Sequence, residues 1–170
     1  MTRWFGALAP ALLVAVAIGH VAAAPRHPRR KPAPDFTLTD SSGAAVHPGS
    51  YKGQVVLLDF WATWCTGCKV EIPWFVEFDG KYRTRGLRSI GVALDEEGWQ
   101  VIKPYLAQHP ISYPIVAGDA RVATAYSVTS MPMTLLIDKR GQIADAHVGI
   151  VDKSAWETRI MQLLDESPAP

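Results

Sequence analysis

Apolar and polar positions follow two different periods along this chain, and together they predict an α/β domain. Residues 55–60 and 89–94 are largely apolar runs, which are typical of strands covered on both faces of a sheet. From residue 68 to about residue 83, large apolar side chains recur at helical spacing, so we expect a helix there that Pro73 bends rather than ends. A buried strand followed directly by such a helix is typical of a sheet flanked by helices.

Shorter elements complete the pattern. They are a first strand at residues 36–39, a helix at 97–108, a short strand at 115–116, a short helix at 120–126, hairpin strands at 134–137 and 143–147, and a final amphipathic helix at 152–164. The turn segment at residues 139–142, which contains Gly141, indicates the hairpin. From residue 55 onward the order is β-α-β-α-β-α-β-β-α, which predicts a mixed sheet sandwiched by helices.

The first 23 residues have the layout of an export signal. Arg3 is the only early charge, an apolar stretch follows at residues 4–18, and small residues occupy positions 21–24. We favour cleavage after Ala23. The alternative is an uncleaved membrane anchor, although a span needs roughly 20 apolar residues and Pro10 interrupts this segment.

The chain therefore divides into four predicted parts. They are a signal peptide or anchor at residues 1–23, a Pro/Arg-rich linker outside the fold at 24–33, one domain at 34–166 and a disordered tail at 167–170. Lys and Arg number 17 against 16 Asp and Glu, a formal net charge of +1, and nothing suggests a nucleic-acid surface.

The only two cysteines, Cys65 and Cys68, stand directly behind the first buried strand. A disulfide between them would close a four-residue loop and contribute about 2 kcal/mol, against about 3 kcal/mol for a 15-residue loop. Export to an oxidising compartment allows such a bond to form. A pair spaced in this way therefore indicates disulfide exchange rather than structural cross-linking.

The position of the pair also orders its chemistry. A cysteine at a helix N-terminus faces unpaired backbone N–H groups and the positive end of the helix dipole, which favour its thiolate. We therefore expect Cys65 to attack a partner's disulfide and Cys68, one turn along, to resolve the mixed disulfide. The intervening Thr66 and Gly67 carry no charge, so the direction of electron flow is left open.

Two separate motifs stand at residues 60–73, Phe-Trp-Ala-Thr-Trp-Cys-Thr-Gly-Cys-Lys-Val-Glu-Ile-Pro, and at residues 126–138, Tyr-Ser-Val-Thr-Ser-Met-Pro-Met-Thr-Leu-Leu-Ile-Asp. Together they resemble the exported TlpA/ResA-like thiol-disulfide oxidoreductases of the thioredoxin superfamily. The resemblance implies a thioredoxin-like fold with a TlpA-type insertion before a loop that carries a cis-proline.

The resemblance also assigns roles around the cysteines. It places Asp59 beneath the pair as a proton acceptor for Cys68, although the neighbouring strand at 89–94 lacks the lysine common in thioredoxins. An acid in an apolar run is also expected to have a raised pKa, unless it is only an edge residue with a backbone or water partner. Glu71 is either a site carboxylate that opposes thiolate formation or an ordinary acid of the first helical turn.

Three further residues are candidates for substrate binding. Trp64 is expected to lie at the rim of the site. The resemblance implies a cis peptide bond at Met131-Pro132, with the Met131 backbone pairing with a bound partner as an added strand. In that family the proline also keeps metal from bridging the thiols.

A Cu(I)-binding module of the same fold is the competing hypothesis. Cys65, Cys68 and the Met131 thioether are soft ligands, and His47, His109 and His147 are available. Each histidine lacks a second ligand three or four residues away, so we expect no metal site. A peroxiredoxin is disfavoured because Ala62 stands where its motif has threonine, and haem attachment because Lys69 follows Cys68.

The expected function is therefore that of a thiol-disulfide oxidoreductase without a cofactor, located in the periplasm or otherwise exported. The resemblance suggests that it reduces disulfides of exported proteins in cytochrome c or copper-site maturation, with electrons from a membrane-bound donor. We expect a monomer, tethered to the membrane if the N-terminal segment is not cleaved.

Overall fold

The structure is a computed structural model and describes residues 1–2 and 30–167. The predicted export segment beyond its first two residues, linker residues 24–29 and tail residues 168–170 lie outside the described part. Within residues 1–2 and 30–167, no helix combines the length and apolar character needed to cross a membrane.

Strands and helices alternate through most of the described chain. The strands are β1 (Lys31–Pro32), β2 (Leu38–Thr39), β3 (Ala45–Val46), β4 (Val55–Trp61), β5 (Leu87–Ala93), β6 (Ile115–Ala117), β7 (Met133–Ile137) and β8 (Gln142–Val148). The helices are α1 (Thr66–Tyr82), α2 (Trp99–Gln108), α3 (Ala120–Ala125) and α4 (Lys153–Asp165). Short 3₁₀ turns cover Pro48–Tyr51 and Arg83–Arg85.

A six-stranded mixed sheet forms the centre, in the order β1-β8-β7-β4-β5-β6. β4, β5 and β6 are parallel to one another, whereas β7 is antiparallel to β4 and to β8. β2 and β3 pair separately as a small hairpin. The predicted mixed α/β sheet is therefore confirmed, and β4 lies at its centre between β5 and β7.

Side chains of β4 alternate between two cores because successive strand residues point to opposite faces. Leu57 and Trp61 pack with residues of α1, α2 and α4 on one face. Leu58 and Phe60 pack with residues of α3 and of the β2–β3 hairpin on the other. Every residue of β4 is buried, as its continuous apolar run predicted.

The start of the folded domain corrects the predicted linker. Residues 30–33 were assigned to a segment outside the fold, but β1 pairs antiparallel with β8 and Ala33 N–H donates to Gly141 O at 2.9 Å. The Arg30 guanidinium binds Asp138 and Glu166, each at 2.8 Å. The physical reason is that an edge strand tolerates proline, so a Pro- and Arg-rich composition does not exclude pairing at the sheet margin.

Candidate active site

Cys65 and Cys68 are joined by a disulfide at the carboxyl end of β4. Cys65 is the N-cap residue of α1, and its Sγ accepts a hydrogen bond from Cys68 N–H at 3.2 Å. Cys65 is 5% exposed, whereas Cys68 is completely buried. The outer sulfur is therefore the one placed to meet a partner, and the same N–H and helix dipole favour negative charge on it.

The loop between β4 and α1 is held by a carboxylate that the sequence did not single out. Asp95, which follows β5, accepts hydrogen bonds from Thr63 N–H at 3.0 Å and from Thr63 Oγ1 at 2.6 Å. β4 and β5 are parallel neighbours, so their carboxyl ends meet at one edge of the sheet. The segment before Cys65 is thereby fixed relative to β5, leaving Trp64 65% exposed.

The loop before β7 faces the N-terminus of α1. Its Met131-Pro132 peptide bond is cis, as the resemblance implied. A Cβ at Gly67 would lie 3.0 Å from Pro132 Cδ and 3.3 Å from Ile150 Cγ1, so both side chains lie directly against Gly67. The backbone of this loop is held from the other side, because Gly149 N–H donates to Pro132 O at 2.8 Å.

An apolar rim surrounds the disulfide. Trp64 and Ile150 are exposed, Ile150 by 49%, and Met131 is half-buried. Trp64, Met131 and Pro132 were predicted here, whereas Ile150 was missed because its position depends on how the loop after β8 returns to Gly67. These side chains form a surface on which an apolar polypeptide segment can dock next to Cys65.

Asp59 lies on the face of the sheet that α1 covers. It shares this face with Leu57 and Trp61, each two residues away along β4, and both of these pack in the same core as Cys68. The carboxyl is 1% exposed, and neither of its oxygens has a hydrogen-bond partner among the described residues. Burial raises the pKa of Asp59 well above its usual value, and the nearby Glu71 carboxyl raises it further.

Glu71 is fully buried, so it is not an ordinary solvated acid of the first helical turn. Its Oε1 accepts a hydrogen bond from Val151 N–H at 2.5 Å, and its Oε2 has no partner in the described part of the chain. Burial raises the pKa of Glu71, although the Val151 hydrogen bond and His147 act in the opposite direction. Two carboxyls with raised pKa values therefore lie in the core behind the disulfide.

Comparison with known proteins agrees with this arrangement. Residues 30–146 match the model of the AhpC/TSA family. The thiol-disulfide oxidoreductase ResA of Geobacillus kaustophilus is 34% identical over 129 residues, covering 75% of this chain and 74% of that protein. ResA of Bacillus cereus is 31% identical over 134 residues, covering 78% and 77%.

A solved structure also points to a thiol-disulfide exchange protein. A protein of Chlorobium tepidum described as thiol:disulfide interchange protein DsbE is 34% identical, with a TM-score of 0.76 over 81% of this chain and 98% of that one. The chain belongs to the AhpC/TSA family and is a ResA-like thiol-disulfide oxidoreductase. Ala62 stands where the peroxiredoxin motif has threonine, so this chain matches the family without having the peroxiredoxin motif at Cys65.

Each histidine in the described part of this oxidoreductase contacts another side chain. His47 Nδ1 lies 3.2 Å from Asp35 Oδ1, His109 stacks on Tyr105, and His147 lies edge-on to Trp156. Across residues 1–2 and 30–167, no three His, Cys, Asp or Glu side chains form a group that could hold a metal ion. The copper hypothesis is left with Cys65, Cys68 and Met131 as its candidate ligands.

Proposed function

We propose that this oxidoreductase reduces disulfides of other exported proteins, with Cys65 as the attacking and Cys68 as the resolving thiol. The observation that carries the proposal is the asymmetry of the pair: Cys65 caps α1 beside the apolar rim, while Cys68 is buried. A thiolate must reach the partner's sulfur, and the second thiol needs only to reach the first.

The electrostatics of the site favour reduction over oxidation. A strong oxidant has a reduced form stabilised as the thiolate. Here Asp59 and Glu71 lie behind the pair, and a carboxylate in the core disfavours a second negative charge nearby. The reduced pair is therefore less stabilised and gives up its electrons more readily.

The substrates and setting are part of the proposal. The apolar rim suits an extended segment that pairs with the backbone of Met131 next to the cis-proline. We assign the protein to the periplasm or an equivalent exported location, as a monomer acting in cytochrome c or copper-site maturation. A membrane-bound donor returns electrons to Cys65 and Cys68, and the leader at residues 1–23 is either removed or retained as a tether.

A trapping experiment tests the order of the thiols. In Cys68→Ser, attack by Cys65 leaves a mixed disulfide that nothing resolves, so a covalent complex with an exported disulfide protein accumulates on a non-reducing gel. Cys65→Ser is the matched control and should give no complex. Accumulation in Cys65→Ser alone would reverse the assignment.

The reduction potential tests the direction of electron flow. We expect a value nearer to about −270 mV, that of thioredoxin, than to about −120 mV, that of a strong oxidant. Glu71→Gln removes a buried carboxyl and should make the potential less negative, with about 30 mV corresponding to 1.4 kcal/mol. A wild-type value near −120 mV would reject the reductase proposal.

A further inference from the structure

Asp59 has an uncharged residue opposite it on each side in the sheet. In register, Gly91 of β5 lies opposite it on one side and Thr134 of β7 on the other. Gly91 contributes no side chain, and Thr134 Oγ1 is buried without a hydrogen-bond partner among the described residues. Neither neighbouring strand therefore places a cation opposite Asp59.

Two aromatic rings occupy the space over Gly91. A Cβ at Gly91 would lie 3.0 Å from Trp61 Nε1 and 3.3 Å from Tyr113 Cε2, and 2.5 Å from Ile115 Cδ1. Cε2 adjoins the ring carbon that bears the hydroxyl, so the polar edge of Tyr113 lies next to Asp59's neighbour. Tyr113 belongs to the loop between α2 and β6 and is 3% exposed.

The polar atoms of this region lack protein partners. Within residues 1–2 and 30–167, the Tyr113 hydroxyl, Trp61 Nε1, both Asp59 oxygens and Glu71 Oε2 are buried and unpaired. A buried polar group without a partner costs roughly 1–3 kcal/mol, so a set of them close together is rare unless ordered water joins them. A donor such as the tyrosine hydroxyl and an acceptor such as the carboxylate are complementary.

We infer that the Tyr113 hydroxyl is a positioning group for Asp59, donating a hydrogen bond through an ordered water to the carboxylate that takes the proton of Cys68. The inference rests on the proposed function and on the role that the resemblance implies for Asp59, acceptance of the Cys68 proton during resolution. A bond to the ionised carboxylate is charge-assisted and favours that form, as lysine would, but without adding a charge to the core.

Resolution combines one proton transfer with one thiol-disulfide exchange. The Cys68 thiol gives its proton to the Asp59 carboxylate, and its sulfur attacks Cys65 Sγ in the mixed disulfide. The bond between Cys65 and the partner breaks, the partner sulfur leaves with the electron pair as a thiolate, and the Cys65–Cys68 disulfide forms. The pair is oxidised and the partner reduced by two electrons.

Other titratable groups face Tyr113, and a test must distinguish their effects from that of Asp59. They are Glu71 and Asp79 on α1 and Tyr105 on α2, and burial together with these neighbours and Asp59 raises the pKa of Tyr113. Asp79 is already bound to Arg83 and to Ser89 N–H. Because its pKa is raised, the Tyr113 hydroxyl stays protonated at physiological pH and can donate a hydrogen bond.

The experiment follows reduced protein reacting with a chromophoric aromatic disulfide over a range of pH. The first thiolate released reports attack by Cys65, and the second reports resolution by Cys68. In Tyr113→Phe we expect the pH midpoint of the second phase to rise by about half a unit or more, with the first unchanged. Tyr105→Phe, a neighbouring ring that contacts Trp61, is the matched control and should shift neither phase.

A double variant separates this inference from the proposed function. In the Asp59→Asn background, Tyr113→Phe should produce no further shift. An unchanged second phase in Tyr113→Phe, an equal shift of both phases, or a shift that persists without Asp59 would overturn the inference alone. A wild-type profile in Asp59→Asn would reject the proposed role of Asp59 as well. Thermal unfolding of each variant checks that it is folded.

Discussion

Asp59 and Asp79 are both buried carboxyls on the same side of the sheet, but their surroundings differ. Asp79 accepts hydrogen bonds from Ser89 N–H and from Arg83, whereas neither oxygen of Asp59 has a partner in the described residues. Burial therefore opposes ionisation of Asp59 without compensation, while Asp79 is held by a cation and a backbone donor. For these two residues, hydrogen bonding rather than burial is therefore the distinguishing property.

Asp59→Asn should stabilise the oxidised protein at neutral pH by roughly 1–3 kcal/mol. The pKa of Asp59 is raised in the folded state, so its favourable contribution is complete below the unfolded pKa of about 4 and is lost as pH rises through the folded pKa. The gain in the variant should be absent near pH 4 and grow as pH rises.

Denaturant unfolding at several pH values measures this effect. Asp79→Asn is the matched control, because it weakens existing bonds and should destabilise by about 1–3 kcal/mol. A constant difference between wild type and Asp59→Asn across this pH range would contradict burial as the cause.

An acid inside an apolar run is visible in a sequence, so the raised pKa of Asp59 was predicted from the run, whereas its place at the site was implied by the resemblance. Glu71 was also selected, but its burial against Val151 N–H depends on a loop that joins distant elements. Tyr113 and Ile150 carried no signal of their own, since neither lies in a motif. Only the packing of the loops that carry them brings these side chains to the site.

At the scale of elements, α1 begins at Thr66 rather than at the predicted Cys68. The N-cap is Cys65, whose sulfur replaces the hydroxyl or carboxyl oxygen usual at this position. Pro73 lies inside the helix without ending it, as predicted. The sequence rules for helix starts do not include cysteine, which explains the difference.

Two glycines of α1 should respond differently to substitution by alanine. Gly80 is exposed, and a Cβ there meets nothing within 4 Å, so Gly80→Ala should stabilise by about 1 kcal/mol through helix propensity. Gly67→Ala places a Cβ 3.0 Å from Pro132 Cδ, so crowding should cancel or reverse the gain. Free energies of unfolding from denaturant titration compare them, and equal gains would show that Pro132 does not restrict Gly67.

At the scale of the whole molecule, Arg30 connects the start and the end of the domain. Its guanidinium joins Asp138 in the β7–β8 turn to Glu166 just beyond α4. Lys139 Nζ adds bonds to the carbonyls of Leu164 and Glu166 at 2.6 and 2.8 Å. The segment predicted as a linker thus contributes to stability from residue 30 onward.

Arg30→Ala should destabilise the domain by about 2 kcal/mol, because it removes charge-assisted bonds from a guanidinium whose side chain is only 9% exposed. Lys31→Ala, at an exposed neighbour in β1, is the matched control and should change stability by less than about 0.5 kcal/mol. The measurement is denaturant unfolding of the full chain. Equal effects of the two substitutions would show that the Arg30 bonds do not stabilise the start of the domain.

Local pattern along the chain was enough to predict the order of the main elements, the Cys65–Cys68 pair and a buried acid with a raised pKa in the strand before it. These follow from periodicity, from spacing and from the cost of an acid in an apolar strand, which need no knowledge of distant residues. Tertiary contacts were needed to show that residues 31–32 pair in the sheet, that Glu71 is buried, and that Ile150 lies against Gly67 and Tyr113 against Gly91. Each of these depends on contacts between segments far apart in the chain, and a local pattern does not encode which of them meet.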